Sequence, residues 1–162
     1  RQENVQENDA RTLICLLHLR NLSEKSGKDF SIVSEMLDVR NRVLAEVAKA
    51  DDFIVSDNLV SLMLTQISEN KHLKKVYDIL FEADGSEIYL KPANNYIVPD
   101  KQVNFYTVLE SAAQKNEVAI GYRIIAQERD ASKNYGVHIN PKKDELFTLA
   151  ANDKVIVLAE DY

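Results

Sequence analysis

Glycine, cysteine and long apolar runs are scarce in this chain of 162 residues, and its 20 basic residues are outnumbered by 26 acidic ones. Only four glycines occur, Gly27, Gly85, Gly121 and Gly136, and none opens a helix after a strand. A dinucleotide fold begins with a strand and the turn G-x-G-x-x-G, whose glycines let the backbone approach a pyrophosphate; a nucleotide site is unsupported here for want of that loop. The single cysteine, Cys15, excludes an intramolecular disulfide framework and suits a reducing compartment. Set in an apolar helical stretch, it is expected to be a buried, inert thiol. No segment approaches the roughly 18 apolar residues of a membrane helix, and the polar start RQENVQEND is not a signal peptide. The formal charge of −6 argues against a nucleic-acid surface, and the short basic run Lys71–Lys75 reads as a solvated helix face. His18, His72 and His138 are scattered without metal-site spacing. No G-x-S-x-G elbow or Cys-His pair is present. No catalytic constellation remains, and the expectation is a protein that is not an enzyme.

With 45% hydrophobic and 28% charged residues the composition is that of an ordinary globular chain, long enough for one good-sized domain or two small ones. Asp9 is a candidate N-cap for a helix over about 10–25, carrying Leu13, Ile14, Cys15 and Leu17. The run Phe30–Val33 (FSIV) predicts a buried strand. Asp38 is placed to cap a second helix with Val39, Val43 and Val47 on one face. Phe53–Val55 predicts a second short strand, and Asp57 or Asn58 a cap for a third helix bearing Leu59, Leu62, Met63 and Ile67. The order α-β-α-β-α with short connections predicts a parallel sheet covered by helices. Two strands would leave exposed edges, so the expectation is that the chain was cut from a longer protein whose missing part supplies the first strands.

From His72 to Phe81 the residues Leu73, Val76, Tyr77, Leu80 and Phe81 make the cleanest helical stripe in the chain, a surface for its own domain or for another subunit. Ala83–Ser86 breaks the chain. Beyond it the pattern predicts a strand at Glu87–Lys91 and a helix at Phe105–Lys115 capped by Asn104. Further strands are expected at Val118–Ile125 and Val137–Ile139. A closing hairpin or strand pair turns at Asn152-Asp153 into Lys154–Ala159. The fold class is thus α/β, a partial parallel sheet followed by a small α+β module.

Two phrases sharpen this. Ala50-Asp51-Asp52-Phe53-Ile54-Val55-Ser56 and Asn140-Pro141 … Leu149 … Asn152-Asp153-Lys154-Val155-Ile156-Val157-Leu158 resemble the regulator-of-potassium-conductance (RCK) domain with its TrkA-type C-terminal subdomain. Asn152 stands where that family places glycine, and asparagine also accepts positive φ. The runs DFSIVSEMLDVRN, AEVAKADDFIVSDNLVSLMLTQISEN and GSEIYLKPANNYI look most like the CASTOR/POLLUX ion-channel branch. The resemblance implies three parts: residues 1–70 as the C-terminal half of a Rossmann-like RCK domain, 71–85 as a connecting helix, and 86–162 as the TrkA-C-like subdomain. It implies a gating-ring, ligand-sensing domain of a potassium or other cation channel or transporter, on the cytoplasmic face of a membrane. Its partners would be further copies of itself, in a dimer or ring assembled through Leu73, Val76, Tyr77, Leu80 and Phe81, and the pore domain of the same full-length chain. Coupling would be conformational, without chemistry.

Ligands of open α/β sheets bind at the carboxyl ends of the strands, which here present Ser34, Glu35, Ser56 and Asp57, with Asp9 nearby. Relatives in the wider RCK group bind Ca²⁺ through carboxylates at comparable places, so Asp9 and Glu35 are the candidate calcium ligands. Against this, Asp9 and Asp57 also read as helix caps and Glu35 as a solvated loop residue. Arg40 and Arg42 are candidates for an anion at a helix start, or for a solvated face. The alternative function, from another class, is the C-terminal fragment of a nucleotide-dependent enzyme such as a dehydrogenase, which would show a catalytic His or Lys beside a second-domain cleft.

Overall fold

The chain opens in one long helix, α1 (Gln2–Ser26), which starts well before Asp9. The computed structural model describes residues 2–28, 32–41, 52–82, 84–128 and 130–160. It forms two units, 1–73 and 74–162. In α1 the buried residues are Asp9, Leu16 and Ser23, spaced by seven, one face of a helix at two turns per step. Ile14, Leu17 and Leu22 are more than half exposed, and Cys15 is exposed as well, contrary to the buried thiol expected. The apolar cluster 13–17 faces several directions on a helix, so it does not mark the buried side. Gly27 ends α1 at φ 63°, the left-handed conformation that suits a helix C-terminus.

In the first unit β1 (Val33–Met36) pairs in parallel with β2 (Asp52–Val55), Val33 opposite Asp52 and Met36 opposite Val55. The strand lies three residues later than the FSIV run suggests, and 29–31 fall outside the described residues. Ile32 and Met36 are buried, whereas Val33 is 66% exposed. A 3-10 turn follows at Val39–Asn41. The helix expected through Val43 and Val47 lies outside the described residues. Helix α2 (Ser56–Glu69) starts directly on the end of β2, so Asp57 and Asn58 are helical residues and not caps. An Asn70 turn, whose side chain accepts the His72 N–H at 3.0 Å, leads to α3 (Leu73–Phe81).

The second unit is built on a four-stranded antiparallel sheet in the order β3-β8-β5-β6, from β3 (Glu87–Pro92), β5 (Val118–Arg123), β6 (Val137–Ile139) and β8 (Lys154–Ala159). Two short strands, β4 (Gln102–Asn104) and β7 (Leu146–Thr148), pair with each other. The Asn152-Asp153 turn therefore does not close a hairpin. It passes the chain from β7 to β8, the central strand between β3 and β5. Helix α4 (Phe105–Ala113) has Asn104 as its N-cap, accepting the Thr107 N–H. Its buried Phe105, Val108 and Ala112 meet Ala119, Tyr122, Val155, Val157 and Leu149 in the core.

Two residues organise the loops of this unit. Asp153, 4% exposed, accepts the N–H groups of Ile125 and Ala150, both at 2.8 Å. Its carbonyl accepts from Ala93 N–H at 2.8 Å, so one residue ties three loops. Asn152 does not have positive φ; among the described residues besides glycine, Asp100, Asn116, Asn134, Tyr135 and Asn140 do. Gly136 is required by its backbone: φ is 78°, and a Cβ there would lie 2.1 Å from the Ile124 carbonyl oxygen.

Candidate functional site

Helix α3 carries the expected stripe. None of its residues is buried. Val76 is 48% exposed, Ile79 57% and Phe81 66%, with Leu73, Tyr77 and Leu80 half-buried. Tyr77 and Phe81, one turn apart, stack with ring centroids at 6.2 Å. Lys74 bridges to Asp78 at 2.7 Å, the i, i+4 arrangement that supports a helix in water. Lys71, Lys74 and Lys75 lie toward the start of this segment, and Asp78 and Glu82 toward its end. Ile79, absent from the sequence-derived stripe, widens the apolar surface. Its position at i+3 from Val76 was readable but lies off the strict i, i+4 row. Val76, Ile79 and Phe81 thus leave an apolar face of this helix open within its own unit.

Asp9, the first calcium candidate, sits 2% exposed in α1. Its Oδ1 accepts the Leu37 N–H at 2.9 Å; its Oδ2 accepts the Asp38 N–H at 3.0 Å and the Asn41 amide at 2.7 Å. Gln6 donates to Asp38 at 2.8 Å and accepts from Asn41 at 3.4 Å. Glu35, the second candidate, accepts the Ser56 hydroxyl instead. Calcium is held by converging carboxylate and carbonyl oxygens. Asp9 is surrounded by N–H donors, which is the environment of an anion and does not fit a cation. Among the described residues no three His, Cys, Asp or Glu side chains converge. Arg40 is likewise committed: its guanidinium clasps Asp38 at 2.5 Å, and these hydrogen bonds hold the Asp38 carboxyl at about 2. Arg42 lies outside the described residues.

A third polar group was not legible, because its members are up to 26 residues apart. Lys91, 8% exposed, donates to Glu117 at 2.9 Å, and the Tyr96 hydroxyl donates to the other Glu117 oxygen. Burial pushes the Glu117 carboxyl up, but the hydrogen bonds from Tyr96 and Lys91 and the charges of Lys91 and Lys115 hold it below the ordinary range. Burial, then Glu117, raises Tyr96 well above the usual tyrosine range. Beside this group a groove of about 510 Å³ runs between α4 and β5, lined by Tyr106, Leu109, Glu110, Ala113 and Val118. No helix among the described residues is long and apolar enough to cross a membrane.

Comparison with known proteins gives a consistent set of relatives, all named as ion channels. No family model matches. The chain is 34% identical to "Ion channel DMI1" of Medicago truncatula over 137 residues, 83% of this chain and 15% of that one. It is 35% identical to "Ion channel POLLUX" of Lotus japonicus over 111 residues, 68% of this chain and 12% of that one. It is 28% identical to "Ion channel CASTOR" of the same species over 155 residues, 79% of this chain and 18% of that one. The chain belongs to the CASTOR/POLLUX/DMI1 family of ion channels, as the sequence resemblance implied. It spans about 15% of the length of the curated relatives it matches. Among solved structures it resembles the "Crystal Structure of the GsuK RCK domain", with 14% identity, a TM-score of 0.35, and coverage of 93% of this chain and 28% of that one. At that identity and score the likeness says nothing about function.

Proposed function

We propose that this chain is a non-enzymatic, RCK-type regulatory segment of an ion channel, assembling with further copies of itself through α3. In the full-length protein it would lie on the cytoplasmic face and pass ligand-driven rearrangement to the pore. Two things support the reading. The relatives over most of the chain are ion channels, and α3 carries apolar residues that its own unit leaves half to two-thirds exposed, Val76, Ile79 and Phe81. The second observation carries it, because a helix that opens the second unit and is apolar toward solvent is a surface on which copies can meet. The exposed apolar residues of α1 and α2, among them Ile14, Leu17, Leu62 and Leu64, are on this reading further packing surfaces of the full-length protein. The test is made in the full-length channel. Phe81→Glu is expected to alter ligand-dependent ion flux while leaving surface expression intact. Flux and its ligand dependence identical to wild type, in correctly expressed protein, would contradict the proposal.

A further inference from the structure

The face of the four-stranded sheet turned away from α4 is apolar except at one end. Leu90, Ile156 and Gly121 lie in one row across β3, β8 and β5; Ile88, Leu158 and Val118 lie in another. At the far end the register sets Lys154 directly opposite Arg123, with Pro92 and Val137 as their outer neighbours. Side chains opposite each other on antiparallel strands share a face with Cβ atoms about 5 Å apart, and like charges placed so repel. Neither cation makes an ion pair or a side-chain hydrogen bond among the described residues, and the Arg123 Nε is buried without an acceptor. The neighbouring carboxylates are committed elsewhere: Asp153 to Ile125 and Ala150, Asp130 to Ser132 and Lys133.

We infer that the Arg123–Lys154 end of this sheet is a binding site for a phosphate-type anion. The guanidinium offers a planar fork of donors matched to phosphate oxygens, and the ammonium adds a point charge from the adjacent strand. An anion between them relieves the like-charge repulsion and satisfies the orphaned Nε–H at once. Beside it, half-exposed Leu90 and exposed Ile139 give an apolar surface for the organic part of a phosphate ester. This site is separate from α3 and does not depend on the assembly proposed there.

The test monitors the Arg123 Nε–Hε resonance by NMR while the chain is titrated with inorganic phosphate and then pyrophosphate. The expected result is a saturable shift of that resonance, tighter for pyrophosphate. Affinity should weaken about tenfold in Lys154→Gln, the scale of one charge-assisted hydrogen bond, and binding should be lost in Arg123→Gln. Arg123→Lys should retain the weaker, charge-only part. A resonance unmoved by phosphate and pyrophosphate together with no binding to vesicles containing phosphatidic acid, or affinity unchanged in Lys154→Gln, would overturn the inference. Sedimentation with vesicles containing phosphatidic acid separates the sources: binding to vesicles and not to free pyrophosphate assigns a lipid headgroup, and the reverse a soluble phosphate ester.

Discussion

The Asp9 carboxylate accepts the backbone N–H of Leu37 at 2.9 Å, joining α1 to the turn that leaves β1. With Asp38 and Asn41 on the same carboxylate, this residue caps a turn distant in sequence, and does not cap its own helix. Asp9→Ala leaves three donors without an acceptor in a buried place and should destabilise the first unit by about 1–3 kcal/mol. Amide exchange at Leu37 and Asp38 checks it. Faster exchange at these two positions is expected; unchanged protection there would refute the capping role.

The Lys91–Glu117 pair makes the second unit pH-sensitive in a defined direction. Glu117 titrates below its ordinary value of 4.5 when folded. Its contribution is therefore fully present above that value and lost as pH falls through the lower folded pKa. Urea unfolding from pH 7 down to about 3 should show this loss in wild type and a flatter profile in Glu117→Gln. At neutral pH that variant leaves Lys91 charged without its carboxylate and should cost about 3 kcal/mol, whereas Lys91→Met with Glu117→Leu should recover most of it. A Glu117→Gln profile parallel to wild type would show that the pair does not carry the dependence.

Tyr96 should resist ionisation well above the ordinary tyrosine range, because burial and Glu117 both oppose it. Alkaline difference spectra of wild type and Tyr96→Phe check this. The expected difference between them lies at the alkaline extreme; a difference near the ordinary tyrosine range would count against the buried hydrogen bond.

Gly136→Ala places a Cβ 2.1 Å from the Ile124 carbonyl at positive φ. The loop must move, at about 1–3 kcal/mol. Thermal unfolding measures it, and a wild-type melting temperature would mean that this backbone relaxes freely.

Much of the second unit was readable because its elements advertise themselves locally. Asn104 precedes an apolar helix face, and KVIVLA is a run of branched residues long enough for a central strand. What was not readable depended on distant partners. β4 and β7 are three residues each and exist by pairing with one another. Lys91 points into the core although its neighbours Ile88 and Leu90 are exposed, because Glu117 waits there. In the first unit Asp9 looked like a helix cap or a metal ligand, since an aspartate before an apolar run has both signatures. Only the fold shows which N–H groups it meets. The α3 stripe was legible from spacing alone, because a helix of nine residues presents its periodicity without help from tertiary contacts.

Above all, α3 is proposed as the surface on which copies of this chain meet. Sedimentation equilibrium across protein concentration tests this, with wild type and the double variant Val76→Glu/Phe81→Glu run side by side and folding followed by circular dichroism. Wild type is expected to associate to a dimer or larger assembly, and the variant to be folded and monomeric. A wild type that stays monomeric at every concentration, or a folded variant that associates as wild type does, would contradict it.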